Sequence, residues 1–129
     1  MRRMTRSCWS SFSPKTAISG CTRLNSLHTK KSIYIAHPFG GEQENVEKVE
    51  KIIKGLLQNH PYCTFYSPLH ATGFLYNQLT YLDGMEHCFE ALSRCDELWL
   101  CEGWEKSRGC NMEYAFAKGK GIPIELINH

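Results

Sequence analysis

From residue 32 onward, apolar residues alternate between two spacings. Residues 32–36 (SIYIA) form a short, nearly continuous apolar run of the kind that makes a strand covered on both faces. In EQENVEKVEKIIKGLLQNH, Val46, Val49, Ile52, Ile53, Leu56 and Leu57 recur at helical spacing, and Lys and Glu fill the outer face. YCTFY, residues 62–66, predicts a second strand, and SPLHATGFLYNQL an irregular excursion. Residues 84–94 predict a helix with Met85, Cys88, Phe89 and Leu92 on one side. ELWLC predicts strand three, residues 108–118 a helix stopped by Gly119 and Gly121, and IPIELI strand four.

Strands separated by helices require right-handed crossovers, and so a parallel sheet with helices on both faces. The expectation is a three-layer Rossmann-like or flavodoxin-like α/β fold with strand order 2-1-3-4. Its topological switch point lies between strands one and three, beyond their carboxyl ends, where open α/β sheets bind ligands. The loops that diverge there are residues 37–41 and 102–109. Each feeds a helix N-terminus with free backbone N–H groups, which together make an anion site.

Charge divides the 129 residues sharply. Positions 1–31 hold seven Lys or Arg and no acid, whereas 32–129 hold eight bases and thirteen acids, so the net +2 hides a basic tail on an acidic domain. The tail is Ser/Thr-rich and acid-free, the composition of an organelle transit peptide; in-frame untranslated or vector-derived sequence and a disordered extension are equally ordinary readings. A basic, disordered extension over 1–31 and a single domain over 32–129 are therefore expected. No apolar run approaches bilayer-spanning length, so the domain is expected to be soluble and cytoplasmic, with no membrane partner. Its acidic balance argues against specific nucleic-acid binding. The seven cysteines show neither CxxC pairs nor metal-ligand spacing, so reduced, mostly buried thiols are expected, with no metal and no cofactor.

The chemistry concentrates near the C-terminal helix. If Ser107 caps it, Glu113 falls one turn after Gly109 and Cys110 on the same face, and its side chain leans back over a residue with no side chain to block it. The same pattern also fits a solvated helix carboxylate, although Cys110, Phe116 and Ala117 make a poorly solvated setting for one. A positive helix N-terminus favours an ionised Glu113. Gly40 and Gly41 in the first loop, with Ser107 and Gly109 in the second, would cradle an anion, and His37 and Trp104 could reach it. His70, Phe74 and Tyr76 either cover a ligand or pin their loop to the body. Lys106 and Arg108 either attract phosphate or are solvated, Trp99 belongs in the core, and Asp96 braces the entrance of strand three.

Read together, YIAHPFGG, SPLHATGFLY, the GMEHC helix, CDELWL and SRGCNMEYAFAKGKGIPI resemble the nucleoside 2-deoxyribosyltransferase-like superfamily, which includes deoxynucleoside 5′-monophosphate N-glycosidases. The likeness is greatest to its small bacterial and phage members of unknown function and spans about residues 32–127. Its most specific piece is S-x-G-x-x-x-E, here Ser107, Gly109 and Glu113, followed by Y-x-A-x-P-F, here Tyr34, Ala36, Pro38 and Phe39. The resemblance implies that Glu113 is the nucleophile at the anomeric carbon, that Tyr34 orients it, and that Ser107 and Gly109 hold the sugar or its 5′-phosphate. The implied substrate is a small-molecule nucleoside or nucleotide, and the implied assembly a homo-oligomer. Cleavage through an oxocarbenium-like state also calls for an acid that helps the base leave, about 5 Å from the nucleophile by analogy with retaining glycosidases. In the superfamily that acid is an aspartate eight residues before the one that opens strand three. Here Asp96 is the opening aspartate, and eight residues back stands Cys88. Glu86 is the first candidate to supply the missing group, with Asp83 and Glu90 beside it. The expected activity is cleavage or transfer of an N-glycosidic bond; the alternative is a nucleotide-binding module without turnover.

Overall fold

The computed structural model describes residues 30–128; the extension expected over the first 31 residues lies, up to residue 29, outside the described residues. The chain then runs β1 (Lys31–Ala36), α1 (Gln43–Asn59), β2 (Cys63–Tyr66), α2 (Pro68–Thr72), α3 (Tyr81–Ser93), β3 (Glu97–Leu100), α4 (Arg108–Lys120) and β4 (Ile124–Leu126). Short 3-10 turns occupy Gly73–Leu75 and Trp104–Lys106. The four strands are parallel in the order β2-β1-β3-β4, with helices on both faces, as the alternation of patterns predicts.

Side-chain alternation along the strands builds two cores. Ile33 and Ile35 of β1 and Trp99 of β3 face one way and pack with Val49 and Ile52 of α1 and Leu69 of α2. Tyr34, Ala36, Leu98 and Leu100 face the other way, against Leu92 of α3 and Cys110 and Ala117 of α4. Each large aliphatic side chain sealed in this way contributes about 1.5–3 kcal/mol. Asp96 braces the β3 entrance, as expected, by accepting the Ser32 N–H at 2.8 Å. Trp99 is core and donates its indole N–H to Glu97.

The excursion after β2 is more ordered than its sequence suggests. Ser67 caps α2 by accepting from the His70 N–H, and Pro68 opens the helix where no donor is needed. The loop then interlocks with the β1–α1 loop, glycine against ring in both directions. Tyr76 lies over Gly41, and Phe39 lies over Gly73, the two rings meeting edge to face at 5.1 Å. Gly41 needs its missing side chain twice: its φ is +78°, and a Cβ would stand 3.1 Å from the Tyr76 ring. Helix α3 starts at Tyr81 rather than 84, because Thr80 caps it and accepts from the Asp83 N–H. Among the described residues, no helix is long and apolar enough to cross a membrane.

Candidate functional site

The pairing of Ala36 with Leu100 aligns the carboxyl ends of β1 and β3, and their loops part there. The β3–α4 loop turns at Gly103 in the left-handed region and runs through its 3-10 turn to Ser107, which caps α4 by accepting from the Cys110 N–H at 3.2 Å. Asn111 fixes the loop from below, its amide donating to the carbonyls of Glu105 at 2.9 Å and Ser107 at 2.8 Å. The cap and the amide anchor set the start of the helix, and so the direction in which Glu113 projects.

Glu113 is buried, only 5% exposed, and lines a cavity of about 110 Å³ between the diverging loops and α3. That is several times the space one water needs. Tyr34, itself fully buried in β1, donates its hydroxyl to Glu113 Oε2. Among the described residues no other donor reaches the carboxylate. Burial pushes the Glu113 carboxyl up to about 7 from an ordinary 4.5, and the Tyr34 hydroxyl holds it partly down. The expectation that the helix N-terminus keeps Glu113 readily ionised is therefore corrected: the residue sits in the second turn of α4, beyond the reach of the terminal dipole, and desolvation wins. Tyr34 is raised in turn by burial first and by the adjacent carboxylate second.

Of the predicted site residues, the cavity gathers Glu113, Ser107, Gly109, Gly40 and His37, with Tyr34 directly behind Glu113. His37 is buried, and its Nδ1–H donates to the Pro38 carbonyl at 2.7 Å. Gly41 is taken up by Tyr76 and is not part of the wall. Trp104 is turned away and stacks on Tyr114 at 5.1 Å. His70 does not line the cavity; it bonds Ser67 at 2.7 Å and Glu50 at 3.0 Å and so pins its loop. Arg108 stacks its guanidinium 3.8 Å over the Tyr81 ring. Gly109 does provide clearance, but for Tyr81, whose hydroxyl lies 2.8 Å from where a Cβ would be.

Glu86 must be withdrawn as a wall residue. It is exposed and outside the cavity lining, because the helix places Tyr81, Gly84, Met85 and Cys88 inward and the acids Asp83, Glu86 and Glu90 outward. Glu90 is held by Arg94. Cys88 is the inward residue at the place in question, and burial pushes its thiol up to about 11. The sequence reading missed His87 and Tyr81, both in the wall. For Tyr81 the available signal was Thr80, which caps α3 by accepting from the Asp83 N–H and so starts the helix at Tyr81. Among the described residues, no three His, Cys, Asp or Glu side chains converge as metal ligands.

Fold and site together define a three-layer parallel α/β protein with a buried, tyrosine-bonded carboxyl at its topological switch point. The chain belongs to the family described as Domain of unknown function (DUF4406), whose family model matches residues 31–126. No curated protein and no solved structure matches the chain.

Proposed function

We propose that the protein cleaves or transfers the N-glycosidic bond of a (deoxy)nucleoside or its 5′-monophosphate through Glu113. The observation that carries this reading is the buried Glu113–Tyr34 pair opening on a cavity at the switch point. The likeness to the nucleoside 2-deoxyribosyltransferase-like superfamily supports it, since Ser107, Gly109 and Glu113 match its S-x-G-x-x-x-E motif and Tyr34 its Y-x-A-x-P-F motif. A carboxylate in a poorly solvated wall is a strong nucleophile toward an anomeric carbon that gains positive charge as the base departs. The cap of α4 offers backbone N–H groups to a phosphate or sugar oxygen. A homo-oligomer belongs to the same proposal: Phe74 at 77% and Leu82 at 58% exposure stand beside wall residues of the cavity and would be covered in a dimer.

The test is incubation with a panel of nucleosides and 5′-monophosphates, with free base followed by chromatography and Glu113→Gln alongside. Release by the wild type and its loss in the variant is the expected outcome; release that survives Glu113→Gln removes the nucleophile assignment. A second reading, nucleotide binding without turnover, is favoured by Cys88, a thiol held neutral where the resemblance calls for an acid. It predicts that nucleotides raise the melting temperature while no base is freed.

A further inference from the structure

We propose that His87 is the general acid that protonates the departing base, taking the role for which α3 supplies no carboxylate. The inference rests on the glycosidic reading above. Helix α3 forms the wall next to Glu113, and its three acids face solvent. The other titratable groups around the cavity are His37 and Tyr76 from the loops, Tyr81 and Cys88 from α3, and Cys110 and Glu113 from α4. Burial holds the Cys88 and Cys110 thiols protonated, up to about 11 and about 12, and Tyr81 is also raised, by burial first. These three give up no proton near neutrality. His37 shares the same kind of Nδ1 contact, to the Pro38 carbonyl, but is buried and so shut off from bulk water. His87, by contrast, is both in the cavity wall and open to solvent, from which it can be reprotonated.

Its geometry fits an acid. Nδ1–H donates to the Asp83 carbonyl one turn back at 3.0 Å, which fixes the ring and reserves Nε2 for the proton that comes and goes. In the first step a Glu113 oxygen forms a bond to C1′ as the C1′–N bond breaks. The bonding pair leaves with the base nitrogen, and the imidazolium Nε2–H passes its proton to the base, leaving neutral His87. In the second step water attacks C1′, the C1′–O bond returns its pair to Glu113, and His87 takes the water's proton. The sum is nucleoside plus water giving base plus sugar.

The experiment compares wild type, His87→Gln and Glu113→Gln on a purine or cytosine deoxynucleoside 5′-monophosphate. Each is also given the substrate methylated on a ring nitrogen, so that the cationic base departs neutral with no proton supplied. His87→Gln is expected to lose about a hundredfold in kcat on the ordinary substrate, within the range for general acid catalysis, and to keep its rate on the methylated one. Its melting temperature should match the wild type, since the side chain is exposed. Equal loss on both substrates, or loss on neither, overturns the assignment. Silence of the wild type on both overturns the glycosidic reading itself and takes this inference with it.

Discussion

At the scale of single residues, the proposed chemistry turns on one buried hydrogen bond. Tyr34 and Glu113 come from positions 79 apart in sequence, and among the described residues the Tyr34 hydroxyl is the one donor that reaches the carboxylate. Tyr34→Phe removes the one group that restrains the carboxyl, so Glu113 should move above about 7 and be largely protonated at neutral pH. A hydrogen bond to a charged group is worth about 1.5–3 kcal/mol, so base release at pH 7 should fall by roughly tenfold or more and recover in part as pH rises. A carbon-13 titration of the Glu113 carboxyl checks the shift independently of turnover; an unmoved midpoint in Tyr34→Phe refutes it.

Among the elements, the two interlocked loops decide whether the cavity has a floor. Gly40 and Gly41 both have positive φ, +61° and +78°, but only Gly41 lies under a ring. Gly40→Ala should therefore cost about 1 kcal/mol from backbone conformation alone. Gly41→Ala adds the clash with Tyr76 and should cost about 2 kcal/mol or more in urea unfolding. In a Tyr76→Ala background the Gly41 penalty should drop to that of Gly40; a penalty that stays the same assigns the whole cost to the backbone. The elements themselves were largely legible, because the apolar run in β1, the stripe in α1 and the Ser107 cap are local patterns that tertiary contacts reinforced. Strand order followed from crossover handedness, and with it the meeting of Glu113 with Ser107 and the Gly40 loop. Legibility stopped at the N-terminal turn and flank of α3. Beginning α3 three residues late left Tyr81 outside the helix and His87, on its flank, unconsidered, and kept Glu86 as a candidate although Asp83, Glu86 and Glu90 share the outer side. Trp104 and Gly41 were misplaced for a different reason: their partners, Tyr114 and Tyr76, lie on other elements, and no local pattern announces them.

For the whole molecule, the site sets how stability depends on pH. Glu113 is harder to ionise folded than unfolded, so between its ordinary 4.5 and about 7 the folded chain binds the extra proton. Its contribution is therefore full below 4.5, declines as pH rises to about 7, and is flat beyond, a loss of about 3 kcal/mol. Glu97 works in the opposite sense. The Lys31 ammonium at 2.7 Å and then the Trp99 N–H lower its carboxyl, so its contribution is present above the ordinary value and fades as pH falls through the lowered one. Between the two, thermal stability should peak near pH ~5 rather than at neutrality. Glu113→Gln keeps an acceptor for Tyr34 and removes the charge. Its melting temperature should equal the wild type's near pH ~5 and exceed it by a margin that grows to about 3 kcal/mol equivalent at pH ~8. Were the variant to show the same decline, another buried group would be its source. The decline is the thermodynamic counterpart of the proposed chemistry: a carboxylate that the fold solvates poorly is destabilised as an anion, and bond formation at C1′ relieves that destabilisation where water does not.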